Sequence, residues 1–177
     1  MGACEQIIAY WLCPAEPVRS QLATLIRDLA RQFDAPLFEP HVTVYVTKAA
    51  NEKPEAVLQH VIKPPRQYAL SIRGLDWSEK FTKTLFVQFA PDSELTQLSE
   101  DLRRASASPG DYELNPHLSL IYKDMDEKPK CGLAASITLP FKEVVLNTVK
   151  AVLSPAEIKS RKEVESWRVV AGRKLTE

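Results

Sequence analysis

The alternation of apolar and polar positions predicts a chain of short strands and amphipathic helices. The run QIIAYWL, residues 6–12, is continuously apolar, which is typical of a buried strand. From Val18 to Phe33 the apolar residues recur at helical spacing with arginines on the other side, so an amphipathic helix is predicted. The two prolines of DAPLFEP end this helix, and the β-branched run HVTVYVT, residues 41–47, is predicted to be the next strand.

Similar elements return in the second half of the chain. A short helix near residues 54–62 and two strands, QYALSIRGLDW and TKTLFVQFA, are predicted first. The segment PDSELTQLSEDLRRA is then predicted to be a helix with Asp92 or Ser93 as its N-cap. A loop ending in Asn-Pro leads into the predicted strand HLSLIY, residues 117–122. The tail is predicted to form two closing strands separated by a charged turn or short helix.

The order strand, amphipathic helix, proline-containing loop and histidine strand therefore occurs twice, over about residues 5–47 and 82–123. The spacing agrees although few residue identities match. We expect a pseudo-twofold α+β structure in which the two histidine strands line a shared seam. At 177 residues, the chain is expected to be a single domain, residues 1–177, made of two interleaved lobes.

Composition and charge narrow the class of partner. Apolar residues make up 45% of the chain and charged residues 26%, which is typical of a soluble globular protein. The 23 basic and 23 acidic residues cancel, which disfavours long nucleic acid and anionic membranes as partners. No apolar run approaches the roughly 20 residues of a membrane span, and the N-terminus lacks a secretory signal. We expect a cytoplasmic monomer whose thiols, Cys4, Cys13 and Cys131, are reduced.

Two short histidine motifs stand at matching points of the repeat. Because side chains alternate along a strand, His41 and Thr43 project to one face, and His117 and Ser119 do the same in the second motif. The apolar residues between them project to the other face and can anchor each strand in a core. Two such strands that face a cleft would present two imidazoles and two hydroxyls.

That set of groups suits the hydrolysis of a cyclic phosphodiester. In-line displacement at phosphorus needs a base for the attacking water and an acid for the departing oxygen, while donors hold the non-bridging oxygens. The ordinary pKa of imidazole is about 6.5, so one neutral and one protonated histidine can coexist near neutrality. His41 and His117 are therefore the candidate catalytic residues, and Thr43 and Ser119 are the candidate phosphate ligands.

The motifs PHVTVYV and NPHLSLIY resemble those of the 2H phosphoesterase superfamily, which is named for paired His-x-Thr/Ser motifs. With the late segment SWRVV, they look like the plant and fungal type of cyclic phosphodiesterase. The resemblance implies a bilobal fold of two antiparallel β-sheets lining a central cleft with flanking helices. It also implies opening of a cyclic phosphate with no metal or other cofactor. By analogy His117 is the base and His41 the acid, although the sequence itself leaves the roles interchangeable.

The resemblance implies a small nucleotide-derived substrate, either ADP-ribose 1″,2″-cyclic phosphate or a nucleoside 2′,3′-cyclic phosphate. Two alternatives stay open. One is an enzyme that acts on RNA ends or on 2′,5′-linked oligonucleotides. The other is a module that binds nucleotides or RNA ends without turnover, although such a module has no need of two titratable groups.

Two aromatic residues are further candidates for substrate contact. Trp11, in the first strand, could stack on a base at the rim of the cleft, although an aromatic residue in a buried strand more often belongs to the core. Tyr122 follows the second motif and resembles a tyrosine found there in these phosphodiesterases. Simple alternation sends Tyr122 away from His117, so its role requires a bulge or a strand end.

Overall fold

The computed structural model describes residues 5–176, which contain seven β-strands and five α-helices. In chain order the elements are β1 (Gln6–Pro14), α1 (Val18–Phe33), β2 (Val42–Lys48), α2 (Pro54–Val61), β3 (Tyr68–Trp77), a 3₁₀ turn (Phe81–Lys83), β4 (Leu85–Phe89), α3 (Ser93–Ala105), β5 (His117–Ile121), α4 (Glu127–Ser136), β6 (Glu143–Pro155), α5 (Arg161–Glu165) and β7 (Arg168–Lys174).

The two predicted repeats correspond to β1-α1-β2 and β4-α3-β5. Each helix packs against the histidine strand of the other repeat, because α1 contacts β5 and α3 contacts β2. In the second of these contacts, Ser99 Oγ donates a hydrogen bond to the Val44 carbonyl at 2.7 Å. This reciprocal packing is what a pseudo-twofold arrangement requires, and the predicted α+β class is confirmed.

All strand pairings are antiparallel, and the strands fall into two halves that share β6. The start of β6 pairs with β3, as at Leu146 and Tyr68, and the rest of β6 pairs with β7. The opposite edge of β6 pairs with β1. Since β2 and β5 also meet, at Val42 and Leu118, hydrogen bonding joins the two predicted sheets into one seven-stranded network.

The core lies on one face of the histidine strands. The apolar residues that alternate with the motif side chains, Val42, Val44, Leu118 and Leu120, are all 0% exposed. They belong to one cluster with buried residues of α1 and α3. Burial of these side chains, worth about 1.5–3 kcal/mol each, holds both strands in place and leaves their other face for the site.

Two segments differ from the expectation. α4 was not predicted, because Pro129 and Gly132 weaken any helix prediction there. A tertiary contact helps to hold this helix: Lys130 is buried at 1% exposure and donates from Nζ to the Ser78 carbonyl at 3.0 Å. β4 also begins later than expected, since residues 81–83 form a 3₁₀ turn.

Several smaller predictions can be compared with the structure. Asp92 is the N-cap of α3, and its Oδ1 accepts a hydrogen bond from the Leu95 amide at 2.8 Å. Cys13 is a buried and Cys131 an exposed free thiol, while Cys4 lies outside the described residues. Within residues 5–176, every helix is too short or too polar to cross a bilayer.

Candidate active site

The seam between the repeats sets the two histidine motifs against each other. The antiparallel strands β2 and β5 pair at Val42 and Leu118, each of which lies between the histidine and the hydroxyl residue of its motif. This register places the histidine of each motif across from the hydroxyl of the other, for example His41 across from Ser119. The four polar side chains therefore share the face opposite the core.

A cavity of about 230 Å³ opens on that face. It is lined by all six residues that were predicted to form the site: Trp11, His41, Thr43, His117, Ser119 and Tyr122. Thr82 and Tyr112 also line it, and no motif or periodicity in the sequence indicates a role for either residue. Trp167, which belongs to the segment SWRVV, lines the cavity as well.

A β-bulge lies beside each motif and places an aromatic residue opposite the hydroxyl. In β1 the pairing shifts just before Trp11, which lies opposite Thr43. In β4 it shifts just before Phe86, which lies opposite Ser119. Bulges redirect side chains next to active sites, and here the two bulges occupy equivalent places in the two repeats.

Both imidazoles are held in the same tautomer. His41 Nδ1 lies 2.7 Å from the Glu39 carbonyl oxygen, and His117 Nδ1 lies 2.7 Å from the Asn115 carbonyl oxygen. Because a carbonyl only accepts, Nδ1 of each ring must carry the proton that it donates. The Nε2 atom of each neutral ring is therefore an acceptor that can take up a proton.

Burial lowers the pKa of both histidines below the ordinary value of about 6.5. His41 is 7% exposed, and burial lowers its pKa to about 4, with a smaller lowering from His117. The pKa of His117, which is half-buried, is lowered by burial and then by the charges of Lys83 and Lys80. Burial therefore favours the neutral form of both rings at pH 7.

Trp11 lies against His41 rather than at the rim of the cleft. The two rings are stacked with centroids 3.6 Å apart and an interplanar angle of 12°. Trp167 meets Trp11 edge-on at 5.3 Å, and Trp11 as a whole is 5% exposed. Little of its ring is left for a base to stack on, and the contact instead shields and orients His41.

Tyr122 and Ser119 are linked at the end of β5. The strand ends at Ile121, so Tyr122 escapes the alternation and lines the cavity, stacked on Phe38 with centroids 4.0 Å apart. Burial raises the pKa of Tyr122, and a hydrogen bond with Ser119 opposes this shift. Ser119 Oγ also donates to the Thr82 carbonyl at 2.8 Å, so its proton is already engaged.

The hydroxyl of the first motif is less constrained. Among residues 5–176, Thr43 Oγ1 has no hydrogen-bond partner, although the residue lines the cavity. Its backbone carbonyl accepts from the Tyr112 hydroxyl at 3.3 Å, which links this strand to the loop before β5. Thr43 can therefore donate directly to an oxygen in the cavity, whereas Ser119 must first turn its proton away from Thr82.

Charged groups support the His41 side of the cavity. The carboxylate of Glu39, whose backbone carbonyl accepts from His41, lies 2.6 and 2.7 Å from Lys150 Nζ. Arg19 of α1 binds the same carboxylate at 3.0 Å. The loop that carries the acceptor for His41 is therefore tied to both β6 and α1.

Neutral groups support the His117 side. Gln88 Nε2 donates to Asn115 Oδ1 at 2.9 Å and to the Pro116 carbonyl at 2.9 Å. Gln88 pairs with His117 across β4 and β5. Amide hydrogen bonds therefore support the segment before His117, whereas ion pairs support the segment before His41.

The polar side chains that line the cavity are thus mainly two imidazoles and several hydroxyls. In the part of the chain that the structure describes, no three His, Cys, Asp or Glu side chains converge as a metal site needs. Two acceptor nitrogens that open into one cavity can move protons on two sides of a group held between them.

Comparisons with known proteins identify the family of the chain. The model of a family described as cyclic phosphodiesterase-like protein matches residues 7–175. A cyclic phosphodiesterase of Arabidopsis thaliana is 21% identical over 127 residues, which cover 71% of this chain and 70% of that protein.

Two solved structures share the fold. The crystal structure of E. coli LigT complexed with 3′-AMP matches with a TM-score of 0.61 and 13% identity, and covers 98% of this chain and 99% of LigT. The complex of LigT with NADP⁺ matches with a TM-score of 0.58 and 15% identity, at 98% and 99% coverage. Because the family model spans nearly the whole chain, the protein belongs to the cyclic phosphodiesterase-like family, which confirms a hydrolase of the 2H phosphoesterase superfamily.

Proposed function

We propose that the protein hydrolyses a cyclic phosphodiester in a small nucleotide-derived substrate to a phosphomonoester, with His41 and His117 as acid and base and without a metal ion. One observation carries this proposal: two imidazoles of the same tautomer line one cavity across the seam. The size of the cavity, about 230 Å³, suits a small ligand. LigT, which shares the fold, is known in complexes with 3′-AMP and NADP⁺.

The reaction needs one neutral and one protonated imidazole. The neutral ring takes a proton from water at Nε2 while the water oxygen forms a bond to phosphorus. The protonated ring gives its Nε2 proton to the departing ester oxygen as the bond from phosphorus to that oxygen breaks. Each proton transfer is worth about 10²–10⁴ in rate. The two rings end with exchanged protonation, and exchange with solvent restores the starting state.

The substrate itself supplies the charge that protonates one ring. Burial lowers the pKa of both histidines and so favours their neutral forms near pH 7. A bound cyclic phosphate carries a negative charge, which raises the pKa of a neighbouring imidazole. Thr43 and Ser119 donate to the non-bridging oxygens and hold phosphorus between the two Nε2 atoms.

The assignment of the two roles remains a choice between two alternatives. The family resemblance makes His117 the base and His41 the acid. Burial favours the reverse, because His41 is the more deeply buried ring and a charge on it costs more. Variants of the two histidines, compared on substrates with different leaving atoms, separate these alternatives.

The proposed activity can be tested directly with a panel of cyclic phosphates. The protein is incubated in EDTA with the four nucleoside 2′,3′-cyclic phosphates and with ADP-ribose 1″,2″-cyclic phosphate, and ³¹P NMR identifies the ester bond that opens. We expect conversion of at least one substrate to a monoester at an undiminished rate in EDTA. Loss of activity with the chelator would contradict the metal-free mechanism, and no turnover of any substrate would contradict the proposed function.

The same assay separates the alternatives. Short oligonucleotides with 2′,5′ linkages or with cyclic phosphate ends are added as competitors. Strong inhibition of mononucleotide turnover, together with cleavage of the oligonucleotide, would favour an enzyme of RNA ends. Tight binding of the panel without any product would favour a binding module.

A further inference from the structure

The turn between β3 and β4 carries two lysines beside His117. Lys80 is exposed and Lys83 half-buried, and Thr82 between them lines the cavity. Lys83 Nζ lies 4.5 Å from the centroid of Phe86, whose ring meets His117 edge-on with centroids 5.5 Å apart. After burial, the charges of Lys83 and Lys80 lower the pKa of His117. The positive field of this turn therefore reaches His117.

These two charges are not neutralised within the described part of the chain. Neither Lys80 nor Lys83 forms an ion pair there, and Asp76 attracts Lys83 only from a longer distance. Burial and the charge of Lys80 both lower the pKa of Lys83, so holding the two ammonium groups together is unfavourable. By contrast, Lys150 on the His41 side binds Glu39 at 2.6 Å.

The turn is held rigidly from several sides. Buried Lys130 donates to the Ser78 carbonyl at 3.0 Å, and Ser78 Oγ donates to the Lys83 carbonyl. At the end of the turn, Thr84 Oγ1 donates to the Lys123 carbonyl at 2.8 Å, a contact that substrate binding leaves in place. The lysines therefore start from a backbone that is already ordered, which lowers the entropic cost of using them to bind a ligand.

We infer that Lys80 and Lys83 form a second anion subsite, which binds a phosphate of the substrate other than the cyclic phosphate opened between the two histidines. Lysine is a common phosphate ligand, and these two lysines lie beside the catalytic cavity without an ion-pair partner among the described residues. This inference rests on the proposed function. It narrows the substrate class to nucleotide-derived cyclic phosphates that carry a further phosphate or pyrophosphate, in preference to those that carry none.

A matched pair of substrates tests the subsite. Adenosine 2′,3′-cyclic phosphate is compared with its 5′-phosphorylated form and with ADP-ribose 1″,2″-cyclic phosphate, for the wild type and for Lys80→Met/Lys83→Met. The measured quantity is the ratio of kcat/KM with and without the extra phosphate. We expect the double variant to lower this ratio about tenfold or more for at least one phosphorylated substrate. Lys53→Met, which removes an exposed charge on the α2 side, should leave it unchanged.

Two further measurements keep the result decisive. Lys80→Arg/Lys83→Arg keeps the charge and should preserve the ratio within about threefold, so it controls for damage to the turn. An unchanged ratio in the methionine variant for every phosphorylated substrate would overturn the subsite. If the wild type opens none of the substrates, the proposed function fails, and calorimetric binding of ADP-ribose then judges the subsite alone. Weaker binding by the methionine variant than by Lys53→Met supports it, and equal binding overturns it.

Discussion

The His41 and His117 sides of the cavity share one backbone plan and differ in what surrounds the ring. On each side a proline precedes the histidine, a carbonyl two residues earlier accepts from Nδ1, and a bulged strand supplies an aromatic residue. His41 is buried and stacked on Trp11. His117 is half-buried and meets Phe86 only edge-on.

The difference shows how a symmetric fold can serve an asymmetric reaction. The repeat fixes the same tautomer on both sides, because each carbonyl acceptor is part of the backbone. The proton affinities are set by burial, ring contacts and nearby charge, and these differ between the two sides. Hydrolysis needs one acid and one base, so two equivalent histidines would have to be made unequal by the substrate alone.

The largest effect is expected from removing either histidine. His41→Ala and His117→Ala should each lower kcat by about 10²–10⁴. A cyclic substrate whose leaving oxygen is replaced by sulfur distinguishes them, because a thiolate leaves without a proton. The variant that lacks the acid should regain activity on the sulfur substrate, and the variant that lacks the base should not. Recovery in both variants, or in neither, would show that the two roles are not divided between these residues.

A second prediction uses stability to compare the two rings. The pKa of His41 is about 4 in the folded protein and about 6.5 when unfolded. Between these values the unfolded chain binds a proton that the folded chain does not, so the free energy of unfolding falls as the pH drops. We expect His41 to contribute a loss of about 3 kcal/mol between pH 6.5 and pH 4.

Urea denaturation at several pH values measures this loss. The wild type is compared with His41→Asn, because the carboxylates titrate alike in both proteins and cancel in the difference. The variant should lose about 3 kcal/mol less than the wild type over that range. Equal pH dependence in the two proteins would mean that His41 is not held neutral by burial.

Much of the fold and the site could be predicted because the signals are local. The helical spacing in α1, the Asp92 cap of α3 and the β-branched run of β2 each depend on neighbouring residues only. The site followed from alternation, since His41 and Thr43 share a face whatever the sheet does. The pairing of the two motifs followed from the repeat rather than from any single motif.

The parts that could not be predicted depend on contacts between distant residues. Lys150 and Glu39 are 111 positions apart in the sequence, and no sequence pattern near either residue indicates that they form an ion pair. For Trp11 the sequence offered stacking on a base at the rim beside the more usual place in the core, and it does not show that a histidine covers the ring. Tyr122 depended on where β5 ends, and strand ends are poorly marked by sequence.

A third prediction tests the charged support on the His41 side. Glu39→Gln leaves Lys150 and Arg19 without their shared counter-charge, so the loop that orients His41 loosens. We expect a loss of about 1–3 kcal/mol in stability and about tenfold in kcat. Asn115→Ala, on the neutral side, should cost about 1 kcal/mol.

Urea unfolding and steady-state kinetics measure both variants, and a double-mutant cycle controls the result. Adding Lys150→Met to Glu39→Gln removes the unpaired ammonium and should restore part of the stability. Equal losses from Glu39→Gln and Asn115→Ala would show that the ion pairs support His41 no better than amides support His117.

The smallest effect concerns the charges on the His117 side. Lys83 lowers the pKa of His117, whereas the charges that act on His41 are those of Glu39, Lys150 and His117 itself. Lys83→Met should therefore raise the pKa of His117 and leave that of His41 in place. NMR titration of the two imidazoles follows both in one experiment. A rise at both rings would mean that one field covers the whole cavity, and that burial alone makes the two histidines unequal.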